Sequence, residues 1–299
     1  AKVFEMERGL EMKKFLALLL ALVMVFALAA CGESTTEPST APTTEATTEP
    51  SAEASTEPSD NAEAADFTTV EEGKLIMSTN AAFPPYETTD DTGAVIGIDP
   101  EIAALIAEKL GLELVIDDVD FDSALLAVQQ GKADMVMAGV TVNEDRLAVM
   151  DFTTSYATGV QVVIVPEDSD ITDMDGLEGK LIGCQRGTTG YIYASDTPEN
   201  GGYGEENVVA YDNGITAVEA LKNGQVDAVI IDNGPAKEFV EANPGLKILE
   251  TPWVEEEYAI GLSKADSADA LNEAINNALQ ELIDDGTVQS ILDKYITAE

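Results

Sequence analysis

Hydrophobic positions divide the chain into three regimes. Residues 15–30 form one unbroken apolar run, residues 33–66 hold almost nothing large and apolar, and from about residue 68 short apolar runs alternate with amphipathic ones. In the third regime the apolar runs at 74–78, 112–116 and 134–138 predict buried strands, and the segments between them carry apolar residues at helical spacing. Ile102, Leu105, Ile106 and Leu110 share one helical face; Asp99 is the expected cap, Pro100 the first position and Gly111 the stop. A second helix is expected at 123–130, capped by Asp122 and stopped by Gly131. The theme returns with strands at 181–184, 207–211 and 227–231 and helices near Tyr191, at 215–222 and at 235–241. A strand at 258–262, a helix at 267–285 and a short helix after Gly286 close the chain.

Strands separated by short helices imply βαβ units and parallel sheets. One stretch repeats in detail. Gln130-Gly131-Lys132-Ala133-Asp134 leads into Met135-Val136-Met137, and Asn223-Gly224-Gln225-Val226-Asp227 leads into Ala228-Val229-Ile230. Two similar α/β lobes explain this; a chance likeness between ordinary βαβ units is the other reading. In open α/β sheets ligands bind outside the carboxyl ends of the strands, so the default site is built from residues 79–83, 138–141, 187–190 and Asp232.

The first two regimes read differently. Met12-Lys13-Lys14 followed by Phe15 to Ala30 has the basic start and short apolar core of an export signal at 12–30. The run is shorter than the roughly 20 residues that span a bilayer. Leu28-Ala29-Ala30-Cys31 resembles the lipobox of bacterial lipoproteins, which implies a lipid on Cys31; a plain secretory signal is the alternative. Residues 1–11 precede a good start and are expected to be an upstream or non-native segment. Residues 31–67 are then the anchor and an acidic Thr/Ser/Pro/Glu linker too poor in apolar groups to fold.

Charge and composition remove whole classes of function. Lys and Arg number 15 against 57 Asp and Glu, a formal net charge of -42. Such a chain repels nucleic acid, so none is expected as a partner. With 0 His, catalytic zinc and a Ser-His-Asp triad lose their usual parts; no metal and no cofactor is expected. A lipid on Cys31 leaves Cys184 on a buried strand as an inert thiol, without a disulfide.

Several segments in order resemble one family. Thr79-Asn80-Ala81-Ala82-Phe83-Pro84-Pro85-Tyr86, Gly97-Ile98-Asp99, Asp120-Phe121-Asp122, Ala138-Gly139-Val140-Thr141 through Arg146, Asp151 through Tyr156, and Gly187-Thr188-Thr189-Gly190 are similar to landmarks of the bacterial extracellular solute-binding proteins, polar amino-acid family (family 3) of ABC importers. The resemblance implies an α/β, two-lobed type II periplasmic-binding-protein fold. Each lobe would be a mostly parallel sheet flanked by helices, with the cleft between them. Lobe 1 would hold 68–161 plus 254–299 and lobe 2 162–253, joined by two hinge strands. The implied function is capture of a polar amino acid at the extracellular face of the membrane, by a lipid-anchored monomer that delivers it to a permease and ATPase on separate chains.

The resemblance also implies roles. Arg146 would grip the α-carboxylate with its planar fork, a surface ion pair being the alternative. Gly139 and Thr141 would bond the ligand through backbone and hydroxyl, and the Thr189 N–H would meet the carboxylate at a helix start. Asp232 would hold the α-ammonium, or merely cap a helix. Phe83 and Phe121 would sandwich the ligand side chain, or pack the core; Ala138 and Thr188 fall in the same cleft. Asn80 stands where several relatives carry an aspartate facing a basic side chain, which argues against arginine or lysine. Gln185 and Arg186 suit an acidic or amide side chain, so glutamine or glutamate is expected first. Two other functions stay open: a cyclohexadienyl-dehydratase-like enzyme on this fold, and a binding module that reports its ligand to a receptor.

Overall fold

The computed structural model describes residues 67–249 and 252–296; the export signal, Cys31 and nearly all of the linker lie outside the described residues. The fold opens with β1 (Lys74–Thr79), buried from its second residue onward. Three short strands, β2 (Ala82–Phe83), β3 (Glu87–Thr89) and β4 (Val95–Ile96), then form a small antiparallel sheet. Helix α1 (Ile98–Leu110) follows. Its cap is Gly97 rather than Asp99, because the backbone there stands at φ 135° and a Cβ would lie 2.3 Å from the Tyr86 carbonyl oxygen. Asp99 is instead fully buried in the first turn, where it accepts from the Gly139 N–H and the Tyr156 hydroxyl. Ile102 and Ile106 join Leu75 and Met77 of β1 in one core, while Leu105 and Leu110 are only partly buried at its edge. Each fully buried side chain of this kind is worth about 1.5–3 kcal/mol.

β5 (Glu113–Asp118) runs parallel to β1. α2 (Phe121–Gln129) has Asp120 at its cap, so Asp122 falls in the first turn instead. β6 (Met135–Val136), the single turn α3 (Glu144–Leu147) and β7 (Asp151–Phe152) complete the first half. The long strand β8 (Ala157–Pro166) then leads into β9 (Ile182–Gln185), α4 (Thr189–Ser195), β10 (Val208–Tyr211), α5 (Gly214–Lys222), β11 (Ala228–Asp232), α6 (Asn233–Ala242) and β12 (Leu246–Ile248). β13 (Val254–Tyr258) returns alongside β8, β14 (Gly261–Leu262) enters the first sheet, and α7 (Asp269–Asp284) and α8 (Thr287–Tyr295) pack on α1.

Two sheets result, ordered β5-β1-β6-β14-β7 and β10-β9-β11-β8-β12, with β13 added on β8. Both are mixed. Pairs built by strand–helix–strand repeats are parallel, as at β1–β5, β1–β6, β9–β10 and β9–β11. Pairs made by chain that crosses between the sheets are antiparallel, as at β14 and all around β8. The strand predicted at 258–262 is divided: Tyr258 ends the ribbon with β8, and Gly261 already belongs to the other sheet. Cys184 is buried on β9, and burial raises its thiol pKa to about 12. Among the described residues no helix is long and apolar enough to cross a membrane.

Candidate ligand-binding site

The carboxyl ends of β1, β6, β9 and β11 converge on one cavity. Asn80, Phe83, Phe121, Ala138, Gly139, Thr141 and Arg146 line it from the first lobe, and Gln185, Thr188, Thr189 and Asp232 from the second. The structure thus brings these candidates to a single space. Arg186 is not among them: its side chain is 55% exposed and lies 3.8 Å from Asp212.

Arg146 is positioned by its own backbone, whose N–H is held by the Asn143 side chain at the start of α3. Its guanidinium is buried, donates to the carbonyls of Thr141 (2.8 Å) and Gly187 (3.2 Å), and lies 5.4 Å from the centre of the Phe121 ring. Among the described residues no carboxylate comes within 4.0 Å of it, so the surface ion pair is not made. Burial lowers its pKa, while Glu256 and Asp232 oppose that shift; an arginine stays charged regardless. The result is a desolvated cation with donors to spare, the receptor for a carboxylate.

Asp232 stands at the cap position of α6, yet its side chain makes no capping bond. Its carboxylate accepts from the Tyr258 hydroxyl instead. Burial, then the charge of Glu256, raises it to about 7, with Tyr258 pulling the other way. Glu256 itself accepts from Thr141 Oγ1 (3.1 Å) and Gln161 Nε2 (2.8 Å). The Thr141 hydroxyl proton is therefore committed to Glu256, and the Gly139 N–H to Asp99 (3.1 Å). Both residues line the cavity, but these two donors are not free for a ligand. Thr189 opens α4, where the first N–H groups lack intrahelical partners.

Two features depart from what the sequence suggests. Asn80 and Gln185 bond each other across the cleft, Gln185 Nε2 to Asn80 Oδ1 at 2.9 Å, and Asn80 Nδ2 donates to the Val119 carbonyl. The second is Glu87, which also lines the cavity. It is fully buried, and neither carboxyl oxygen receives an N–H or O–H from the protein. Burial, then the neighbouring Asp99, pushes it well above the usual carboxylate range. Burial raises Asp99 to about 6, against the Tyr156 and Gly139 bonds that favour its ionised form. A polar residue opposite Phe83 in the β2–β3 register is the signal that could have placed Glu87 inside.

Comparison with known proteins agrees with this architecture. Residues 75–298 match the profile of bacterial extracellular solute-binding proteins, family 3. The arginine-binding extracellular protein ArtP of Bacillus subtilis (strain 168) is 28% identical over 289 residues, spanning 96% of this chain and 100% of that protein. The ABC transporter arginine-binding protein 1 of Escherichia coli (strain K12) is 30% identical over 225 residues, spanning 74% of this chain and 90% of its own length. Among solved structures, an ancestral arginine-binding protein bound to glutamine is 35% identical with a TM-score of 0.70, covering 76% of this chain and 100% of that one. The two sheets joined by paired crossings are the type II periplasmic-binding-protein fold of these neighbours. Both the profile match across the folded part and the shared fold lead to one assignment: this chain belongs to family 3 of the bacterial extracellular solute-binding proteins.

Proposed function

We propose that this chain captures an amino acid with a cationic side chain, arginine first, outside the cell and delivers it to the permease and ATPase of an ABC importer. The charge balance of the cavity carries this reading. One buried guanidinium, Arg146, stands among four buried acids, Asp232, Glu87, Asp99 and Glu256, so acids outnumber cations around the cavity. The ligand's carboxylate goes to Arg146 and its ammonium to Asp232, which leaves the carboxyl pair to be matched by a cation on the side chain. Buried charges need such partners. The names of the Bacillus and Escherichia relatives point the same way.

This replaces the expectation of glutamine or glutamate. Asn80 and Gln185 bond each other, Arg186 lies outside the cavity, and Glu87 supplies the acid that Asn80 lacks. Calorimetry with arginine, lysine, glutamine, glutamate and N-acetylarginine tests it. Arginine should bind tightest, and N-acetylarginine hardly at all. Tightest binding by glutamine or glutamate would sink the side-chain assignment.

Lobes 68–161 plus 254–299 and 162–253 close on the ligand by bending at β8 and β13. The protein works as a monomer without catalysis, held at the outer face of the membrane by lipid on Cys31. Leu28-Ala29-Ala30-Cys31 supports the anchor. Protein from its native host should partition with membranes and carry acyl chains on an N-terminal Cys31, and Cys31→Ser should release it or block processing. An unmodified soluble form cut elsewhere, seen by intact mass spectrometry, overturns the anchor.

A further inference from the structure

Tyr258 lies where the two crossing strands meet the cavity. It is the last residue of β13, paired with Ala157 of β8, and is fully buried. Its backbone already belongs to the first lobe, since its carbonyl accepts from the Tyr156 N–H and it bridges to Thr141. Its ring stands edge-on to Tyr86 with centroids 5.1 Å apart. Its hydroxyl reaches across to Asp232 Oδ1, at the end of β11 in the second lobe. Room for this reach is made by Gly159 on β8, where a Cβ would lie 2.0 Å from the Tyr258 hydroxyl oxygen. Two residues on adjacent hinge strands thus cooperate to place one hydroxyl.

We propose that Tyr258 is a positioning residue that fixes the Asp232 carboxylate for the ligand's ammonium when the lobes are closed, so that ammonium binding and closure are coupled. The proposal rests on Asp232 being the ammonium's partner. One carboxylate oxygen is taken by the hydroxyl and the other is left for the ligand. The carboxylate has no capping bond of its own to hold it, and its donor comes from β13 rather than from its own strand or helix. The titratable groups around Asp232 are Glu256 on β13, Glu87 on β3 with the nearby Tyr86, Arg146 on α3 and Tyr193 on α4. Of these only Arg146 favours the ionised form. Loss of the hydroxyl therefore raises the pKa of Asp232 above its native value of about 7.

The test is calorimetry of Tyr258→Phe with L-arginine and with L-glutamine, which share the ammonium, from pH 5.5 to 8.5. Native affinity should fall as the pH drops below about 7, because only the ionised acid binds the ammonium. In Tyr258→Phe both ligands should bind about 10- to 100-fold more weakly at neutral pH, and the acid-side fall should begin at higher pH. Gly159→Ala keeps the hydroxyl but displaces it, and should reproduce both changes if Tyr258→Phe folds poorly. Native affinity, or weaker binding with an unmoved pH profile, overturns the positioning role. Asp232→Asn separates the two ideas. If it binds as tightly as the native protein, the ammonium assignment has failed. If it abolishes binding while Tyr258→Phe moves neither quantity, only the present inference has failed.

Discussion

Arg146→Ala and Asp232→Ala are each expected to reduce ligand binding to near nothing while the ligand-free protein keeps its fold. Arg146 is buried with no carboxylate within 4.0 Å among the described residues, so its removal from the empty protein breaks no direct ion pair, and relief of a desolvated charge offsets the two carbonyl bonds it loses. Asp232 is likewise a buried acid raised to about 7, so its charged form contributes no stability to the empty protein. With ligand bound, each truncation leaves a buried charge unpaired, which costs roughly 2–5 kcal/mol, or about 30- to several-thousand-fold in affinity. Calorimetry beside thermal melts separates the two effects. Blocking the ligand's ammonium or carboxylate should weaken binding comparably, whereas Phe121→Ala should cost less, since it removes stacking and apolar area but no charge. A dehydratase predicts the reverse, with a cyclic acid lacking an ammonium both bound and turned over. Tight binding that survives either mutation would falsify the assignment.

The second large effect concerns the carboxyl pair and is non-additive. Burial raises both acids, Glu87 well above the usual carboxylate range and Asp99 to about 6, where the Tyr156 and Gly139 bonds favour its ionised form. Glu87→Gln leaves Asp99 as the remaining acid of the two, with an amide in place of the Glu87 carboxyl. Asp99→Asn leaves Glu87 as the remaining acid of the two and relieves only the second cause of its shift, burial being the first. Neither single change should alter arginine binding much. Glu87→Gln with Asp99→Asn removes the charge altogether and should weaken arginine binding by about 30-fold or more, with little effect on glutamine. Calorimetry of all three variants with both ligands decides it. A double variant that keeps its preference for arginine over glutamine removes the basis for a cationic ligand.

Much of this was legible in the residues themselves. The helical face of α1, the stops at Gly111 and Gly131, and the alternation of strands and helices follow from local chemistry, and strand ends mark the cleft by a general rule of α/β sheets. What escaped depends on pairing. Glu87 opens the run Glu87-Thr88-Thr89-Asp90-Asp91, which looks like an acidic surface turn, and three-residue β3 is too short to show a period. Its burial comes from pairing that no local period shows, the β2 register and the first turn of α1. Glu255-Glu256-Glu257 looks uniformly solvated, but strand pleating turns only Glu256 inward. The end of β9 separates Gln185 from Arg186: the last strand residue is buried in the cavity wall, and the first residue of the following turn lies outside it.

β8 and β13 cross between the lobes side by side, locked from Val254↔Gln161 to Tyr258↔Ala157. A hydrogen-bonded ribbon of two strands flexes readily out of its own plane, because that leaves the ladder bonds at nearly constant length. Shearing within the plane would stretch one strand against the other and break the ladder. The ribbon therefore behaves as a leaf spring with one soft direction. Closure by bending of this ribbon, as proposed, would return Gln185 to Asn80 and Gly187 to Arg146 without a search through misaligned approaches, and the two half-sites would need no contact while apart to be brought back into register.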